Sequence, residues 1–69
     1  MNRLPREQEQ FYTMSQTSEI VCLSESSIRR RIERGSFPLP VPVGRRRLFV
    51  ASEIHEWVRG QITAARAGS

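Results

Sequence analysis

Between positions 29 and 47 the chain carries seven arginines, Arg29, Arg30, Arg31, Arg34, Arg45, Arg46 and Arg47, against the single acid Glu33. That window holds a charge of +6 while the remainder of the chain holds −2, and all eleven basic residues are arginine, none lysine. A guanidinium is a planar fork of donors that matches phosphate oxygens, or the O6 and N7 of guanine, two at a time, which an ammonium cannot do. Clustered arginine therefore points to nucleic acid. On composition alone, a solvated charged face is an equal alternative. Cys22 and His55 are the other residues with reactive or ligating side chains. Each stands alone, with no third ligand for a metal and no base or orienting group for a nucleophile. No catalytic residue, metal or cofactor is expected, and the chain does not read as an enzyme.

The frame that must position the arginines is small. A chain of 69 residues makes one domain and buries only about 60% of its unfolded surface. A single cysteine cannot staple it, so the core must hold it alone. Met1 to Gln10 lack the apolar run of a signal peptide, and no stretch reaches the eighteen or so apolar residues of a membrane span. The reading is a cytoplasmic protein with no membrane partner.

Local signals divide the chain. Residues 1–11 are polar, contain Pro5 and show no period, which reads as a disordered or loosely attached arm. Thr13-Met14-Ser15-Gln16 fits a capping box, and Met14, Thr17, Ile20 and Val21 then fall on one stripe, predicting a helix over about 15–21. Ser24 is the N-cap candidate of a second helix from Glu25 to Arg34, with Glu25 in its first turn and Gly35 suited to the left-handed position that ends it. Two short helices joined by about three residues form a helix-turn-helix. Pro38, Pro40 and Pro42 then forbid helix. Pro42-Val43 leads into a tip of Gly44-Arg45-Arg46-Arg47, and Leu48-Phe49-Val50 returns, which reads as a two-stranded hairpin whose proline-bearing arm lies at an edge. Ser52 is expected to cap a third helix on which Ile54, Trp57, Val58 and Ile62 face inward. Trp57 is expected as the central aromatic of the core, Gly60 as an early stop, and residues 63–69 as a frayed end. The fold class is mainly α with a small β-hairpin, a winged helix-turn-helix over residues 12–62.

Placed on a helical wheel, Ile28 and Ile32 define the buried face of the second helix, and Arg30 points away from it. Ser26 and Glu33 flank Arg30 on one side, Ser27 and Arg34 on the other, with Arg29 and Arg31 at the borders. Short hydroxyl residues followed by arginines suit a helix laid in a major groove. The candidate binding residues are therefore Ser24, Ser26, Ser27, Arg29, Arg30, Arg31 and Arg34 on the helix, and Arg45, Arg46 and Arg47 on the wing. The three adjacent wing guanidiniums repel one another until an anion arrives, and they suit a phosphate backbone or a narrow minor groove.

The order of motifs, Leu23-Ser24-x-Ser26-Ser27-Ile28-x-Arg30-x-Ile32-x-x-Gly35-x-Phe37-Pro38-x-Pro40, then a basic hairpin, then Ser52-Glu53-Ile54-x-x-Trp57-Val58, resembles the AlpA-like prophage regulators and the excisionases that share the MerR-type winged helix. The likeness covers residues 13–59. It implies a recognition helix at Ser24 to Arg34, with Ser26, Ser27 and Arg30 toward bases, and a wing at Gly44 to Arg47. Three positions depart from the pattern. Cys22 stands where glycine is usual in the turn, which predicts strain there. Arg31 replaces an aromatic, and Leu48 replaces an arginine beside Phe49. The long dimerisation helix and effector domain of MerR regulators have no counterpart after Trp57, so no small-molecule ligand is expected.

The function that follows is sequence-specific binding of double-stranded DNA by a small phage-, prophage- or plasmid-type transcriptional regulator or excisionase. Its partners would be duplex DNA and further copies on adjacent sites, or an integrase or RNA polymerase. Two alternatives stand beside it: the DNA-binding domain of a terminase small subunit, and an interaction module that docks an acidic protein.

Overall fold

A computed structural model describes residues 10–68. The chain runs β1 (Phe11–Tyr12), α1 (Met14–Val21), α2 (Glu25–Glu33), β2 (Val41–Val43), β3 (Arg46–Val50) and α3 (Ala51–Ala67). Three helices surround an antiparallel sheet of order β1-β3-β2. This is a winged helix-turn-helix, mostly helical, with one strand more than the expected hairpin. Of the expected 1–11 arm, residues 1–9 lie outside the described residues, while Phe11 and Tyr12 pair with Val50 and Phe49 of β3.

The first two helices end where local chemistry dictates. Thr13 has extended backbone; its hydroxyl accepts the Gln16 N–H at 3.1 Å, and the Gln16 side chain accepts the Thr13 N–H at 2.9 Å, closing the capping box. Cys22 then turns the chain out of α1 at φ 59° and ψ 38°, the left-handed region that costs a residue with a Cβ about 1–2 kcal/mol. Among the described residues it alone has positive φ without being glycine. Ser24 starts α2 by accepting the Ser27 N–H. Gly35, at φ 75°, ends it: the Gly35 N–H reaches the Ile32 carbonyl and the Ser36 N–H reaches the Arg31 carbonyl, the paired closing bonds of a Schellman motif.

Between β2 and β3 the pair Val43 and Arg46 leaves a two-residue loop, Gly44-Arg45. Gly44 takes φ 61° while Arg45 stays at negative φ, the type II′ pattern whose twist matches the paired strands.

The third helix departs from expectation at both ends. It begins at Ala51 directly after Val50, with no side-chain cap, so Ser52 sits inside the first turn and does not cap it. One of the helix's free N-terminal donors is met from the residue before β1: the Ala51 N–H donates to the Gln10 carbonyl at 2.8 Å. At the other end the helix passes through Gly60 and stays helical to Ala67. One glycine costs a helix only about 1 kcal/mol against alanine, and Thr63 through Ala67 includes three alanines that favour continuation. Residues 63–67 are therefore the last turns of α3.

Ile28 and Ile54 (both 0% exposed), Phe49 (1%) and Phe37 (5%) form the core, one residue or more from α2, α3, β3 and the proline-rich connection. Trp57 is not its centre. It packs half-buried at the margin, its ring 4.7 Å from that of Phe37 and its indole N–H donating to the Ser36 carbonyl at 3.0 Å. Ile20 and Ile62, expected on inward stripes, are exposed. Thr17 of α1 is fully buried, and among the described residues its hydroxyl oxygen has no hydrogen-bond partner.

Candidate nucleic-acid interface

Burial of Ile28 fixes how α2 presents everything else. With Ile28 fully enclosed and Ile32 packed against the core, Arg30 falls on the opposite side of the helix, where it is exposed beside Ser26, Glu33 and Arg34. Six of the seven clustered arginines, all but Arg31, are exposed.

Along α2 the arginines differ in what holds them. Arg29 lies 3.6 Å from the Glu25 carboxylate one turn earlier, an exposed pair that partly offsets its charge. Arg30 donates from Nη2 to the Ser27 hydroxyl at 3.3 Å. Arg31 turns toward α3, its guanidinium carbon 5.8 Å from the centre of the Trp57 ring. This is a cation–π distance, worth about 0.5–1 kcal/mol at a partly exposed site. The indole thus occupies Arg31 and joins α2 to α3. Periodicity put Arg31 only at the border of the apolar stripe; its partner, 26 residues away in sequence, could not be read from local spacing.

The serines divide as well. Ser24 and Ser27 are tied together: Ser24 Oγ accepts the Ser27 N–H and donates to Ser27 Oγ, each at 3.1 Å. Ser26 is exposed on the Arg30 face.

On the wing, alternation sorts the arginines. Phe49 points into the core, so Arg47, two residues earlier, shares its face of β3, and Arg46 lies with Leu48 on the other. Arg45 occupies the second loop position. All three are exposed, and among the described residues none has an ion-pair or hydrogen-bond partner for its side chain. The tip is thus not a single three-pronged face: its guanidiniums leave in at least two directions.

The two residues that invited other chemistry are placed apart from this set. His55 Nε2 lies 3.0 Å from the Tyr12 hydroxyl, with the rings edge to face at 5.8 Å, tying β1 to α3. Cys22 is an exposed free thiol at the end of α1. Neither Tyr12 nor that bond was foreseen, because the two-residue strand that carries Tyr12 is too short to show a period.

Residues 10–62 match the family model of the prophage CP4-57 regulatory protein, AlpA. The chain belongs to that family. The AlpA family consists of phage-type regulatory, DNA-binding proteins, and the winged helix-turn-helix seen here accords with it. The match begins one residue before β1 and ends within α3, so it spans every element that frames the arginines. No curated protein and no solved structure matches the chain. No helix among the described residues is long and apolar enough to cross a membrane.

Proposed function

We propose that this AlpA-family protein binds duplex DNA sequence-specifically, with α2 in the major groove and the β2–β3 wing on the phosphate backbone or in the adjacent minor groove. The observation that carries the reading is the division of the seven clustered arginines: six face solvent, on a helix and a hairpin, and the seventh, Arg31, is used inside the fold. In this reading Ser26 and Arg30 meet base edges. Arg29, Arg34, Arg45, Arg46 and Arg47 meet phosphates, and Ser24 serves as cap.

The protein acts in this proposal as a small transcriptional regulator or as an excisionase, working in the cytoplasm where phage or plasmid DNA is found. Further copies on adjacent sites, an integrase or RNA polymerase would be its protein partners. A bending assay separates the two roles. An excisionase occupies repeated sites side by side and curves them, whereas an activator needs one promoter site.

The deciding experiment is selection of bound duplexes from a random pool. Enrichment of a motif one or two half-sites long supports sequence-specific reading. Tight binding without enrichment supports a purely architectural role, and absence of duplex binding overturns the proposal.

A further inference from the structure

We propose that Ser27 is a positioning residue for Arg30, holding its guanidinium so that this donor-only group selects guanine at one base position. The inference rests on the reading of α2 as the recognition helix.

Of the exposed arginines in the cluster, Arg30 is the one held by an uncharged side chain. The guanidinium of Arg29 faces a carboxylate, that of Arg31 an indole, and those of Arg34, Arg45, Arg46 and Arg47 no side-chain partner among the described residues. Arg30 is tethered by a neutral hydroxyl one turn back, at the i,i+3 spacing that makes neighbours on a helix surface. A long side chain held before binding loses less rotamer freedom on its target, so a tether of this kind favours a single geometry.

The Ser27 oxygen accepts the Arg30 Nη2–H at 3.3 Å and lies 3.1 Å from Ser24 Oγ, so the hydroxyl that holds the guanidinium is itself held by the capping serine. A guanidinium has donors and no acceptor.

Arg30, held by Ser27, therefore matches an edge made of acceptors. In the major groove guanine offers N7 and O6, both acceptors, whereas adenine places an N6 amino group and cytosine an N4 amino group there. Donor would face donor at those amino groups. Guanine alone satisfies two donors at once; adenine offers N7 but sets its amino group against the second donor, cytosine offers only an amino group, and thymine offers a single O4 beside its methyl group.

The test uses the full chain and the duplex enriched by selection. Affinities are measured for wild type, Ser27→Ala, Ser27→Thr, Arg30→Ala and the double variant. The duplex carries either its own base pair or a changed one at the position where Arg30→Ala relaxes preference. The expected base there is guanine. Ser27→Ala should weaken binding to it about fivefold, the size of one hydrogen bond, and Thr, which keeps the hydroxyl, should restore it. In the Arg30→Ala background Ser27→Ala should cost nothing more, and neither the salt slope nor the melting temperature should move. Replacing the guanine by 7-deazaguanine should weaken wild type and leave Arg30→Ala unaffected. The inference is overturned if the base is anything but guanine, if Ser27→Ala costs the same with and without Arg30, or if it costs nothing. Failure of wild type to bind any duplex would instead overturn the reading of α2 itself.

Discussion

Helix α2 and the β2–β3 wing carry the same residue type in unequal settings. On α2 every arginine up to Arg31 has a side-chain neighbour: a carboxylate, a hydroxyl or an indole. Opposite them, the helix is locked into the core by Ile28. On the wing the arginines are placed by backbone alone, through a two-residue turn and the alternation of β3. Sequence discrimination needs donors fixed to within a fraction of an ångström, whereas attraction to a phosphate backbone tolerates a mobile charge. The difference teaches that arginine count locates an interface, while what holds each arginine sorts reading from gripping.

The largest effect should come from the residue both regions share. Phe49 lies on β3 between the wing and the core and is 1% exposed, so Phe49→Ala should cost about 3–5 kcal/mol, a large part of a small domain's stability. Circular dichroism should show loss of the cooperative melt, with duplex binding lost as well. A folded Phe49→Ala protein that had lost only its wing contacts would mean that the two regions are anchored separately.

Next in size is removal of the wing charges. Wild type, with six exposed arginines on phosphates or bases, should show log affinity falling against log salt with a slope near −5. Replacing Arg45, Arg46 and Arg47 together by alanine should make that slope shallower by about 3, with the order of preferred sequences unchanged. A wild-type slope shallower than about −2 would show that helix and wing do not bind DNA together.

Two smaller effects lie in α1, which supports α2 from the other side. Thr17→Val keeps the branched shape while removing a buried hydroxyl that has no partner among the described residues, and should stabilise by about 1 kcal/mol. Cys22→Gly relieves the left-handed cost but adds freedom to the unfolded chain, for a net gain of about 0.5–1 kcal/mol. Denaturant titration checks both. A Cys22→Gly protein that was more stable yet read a different sequence would mean that the strained turn sets the angle of α2.

Much of this was legible in the sequence because it depends on close neighbours. The Thr13–Gln16 box, the Ser24 cap, the glycines at 35 and 44 and the outward direction of Arg30 are each set within one turn of chain. What was not legible depends on distant partners. Helix α3 starts at Ala51, ahead of the expected Ser52 cap, with its first N–H bonded to the Gln10 carbonyl, a bond across 41 residues. The stripe of α3 placed Trp57 inward, but periodicity cannot say that Phe37 and Phe49 fill the centre first and leave the indole at the margin, where it holds Ser36 and Arg31. The arginine cluster was visible as composition. Its division into an internal residue and six outward ones required the packing of α2 against α3.

The most direct test of the division between reader and gripper is the sequence preference of two single variants, measured by selection from one random duplex pool. Arg30→Ala should cost about 1–3 kcal/mol on the preferred site and flatten preference at one base pair, while Arg46→Ala should weaken all sequences alike and reduce the salt slope by about 1. Both should melt like wild type, since neither side chain enters the core. If Arg46→Ala altered which bases are preferred and Arg30→Ala did not, the wing would be the reader and the account given for α2 would be wrong.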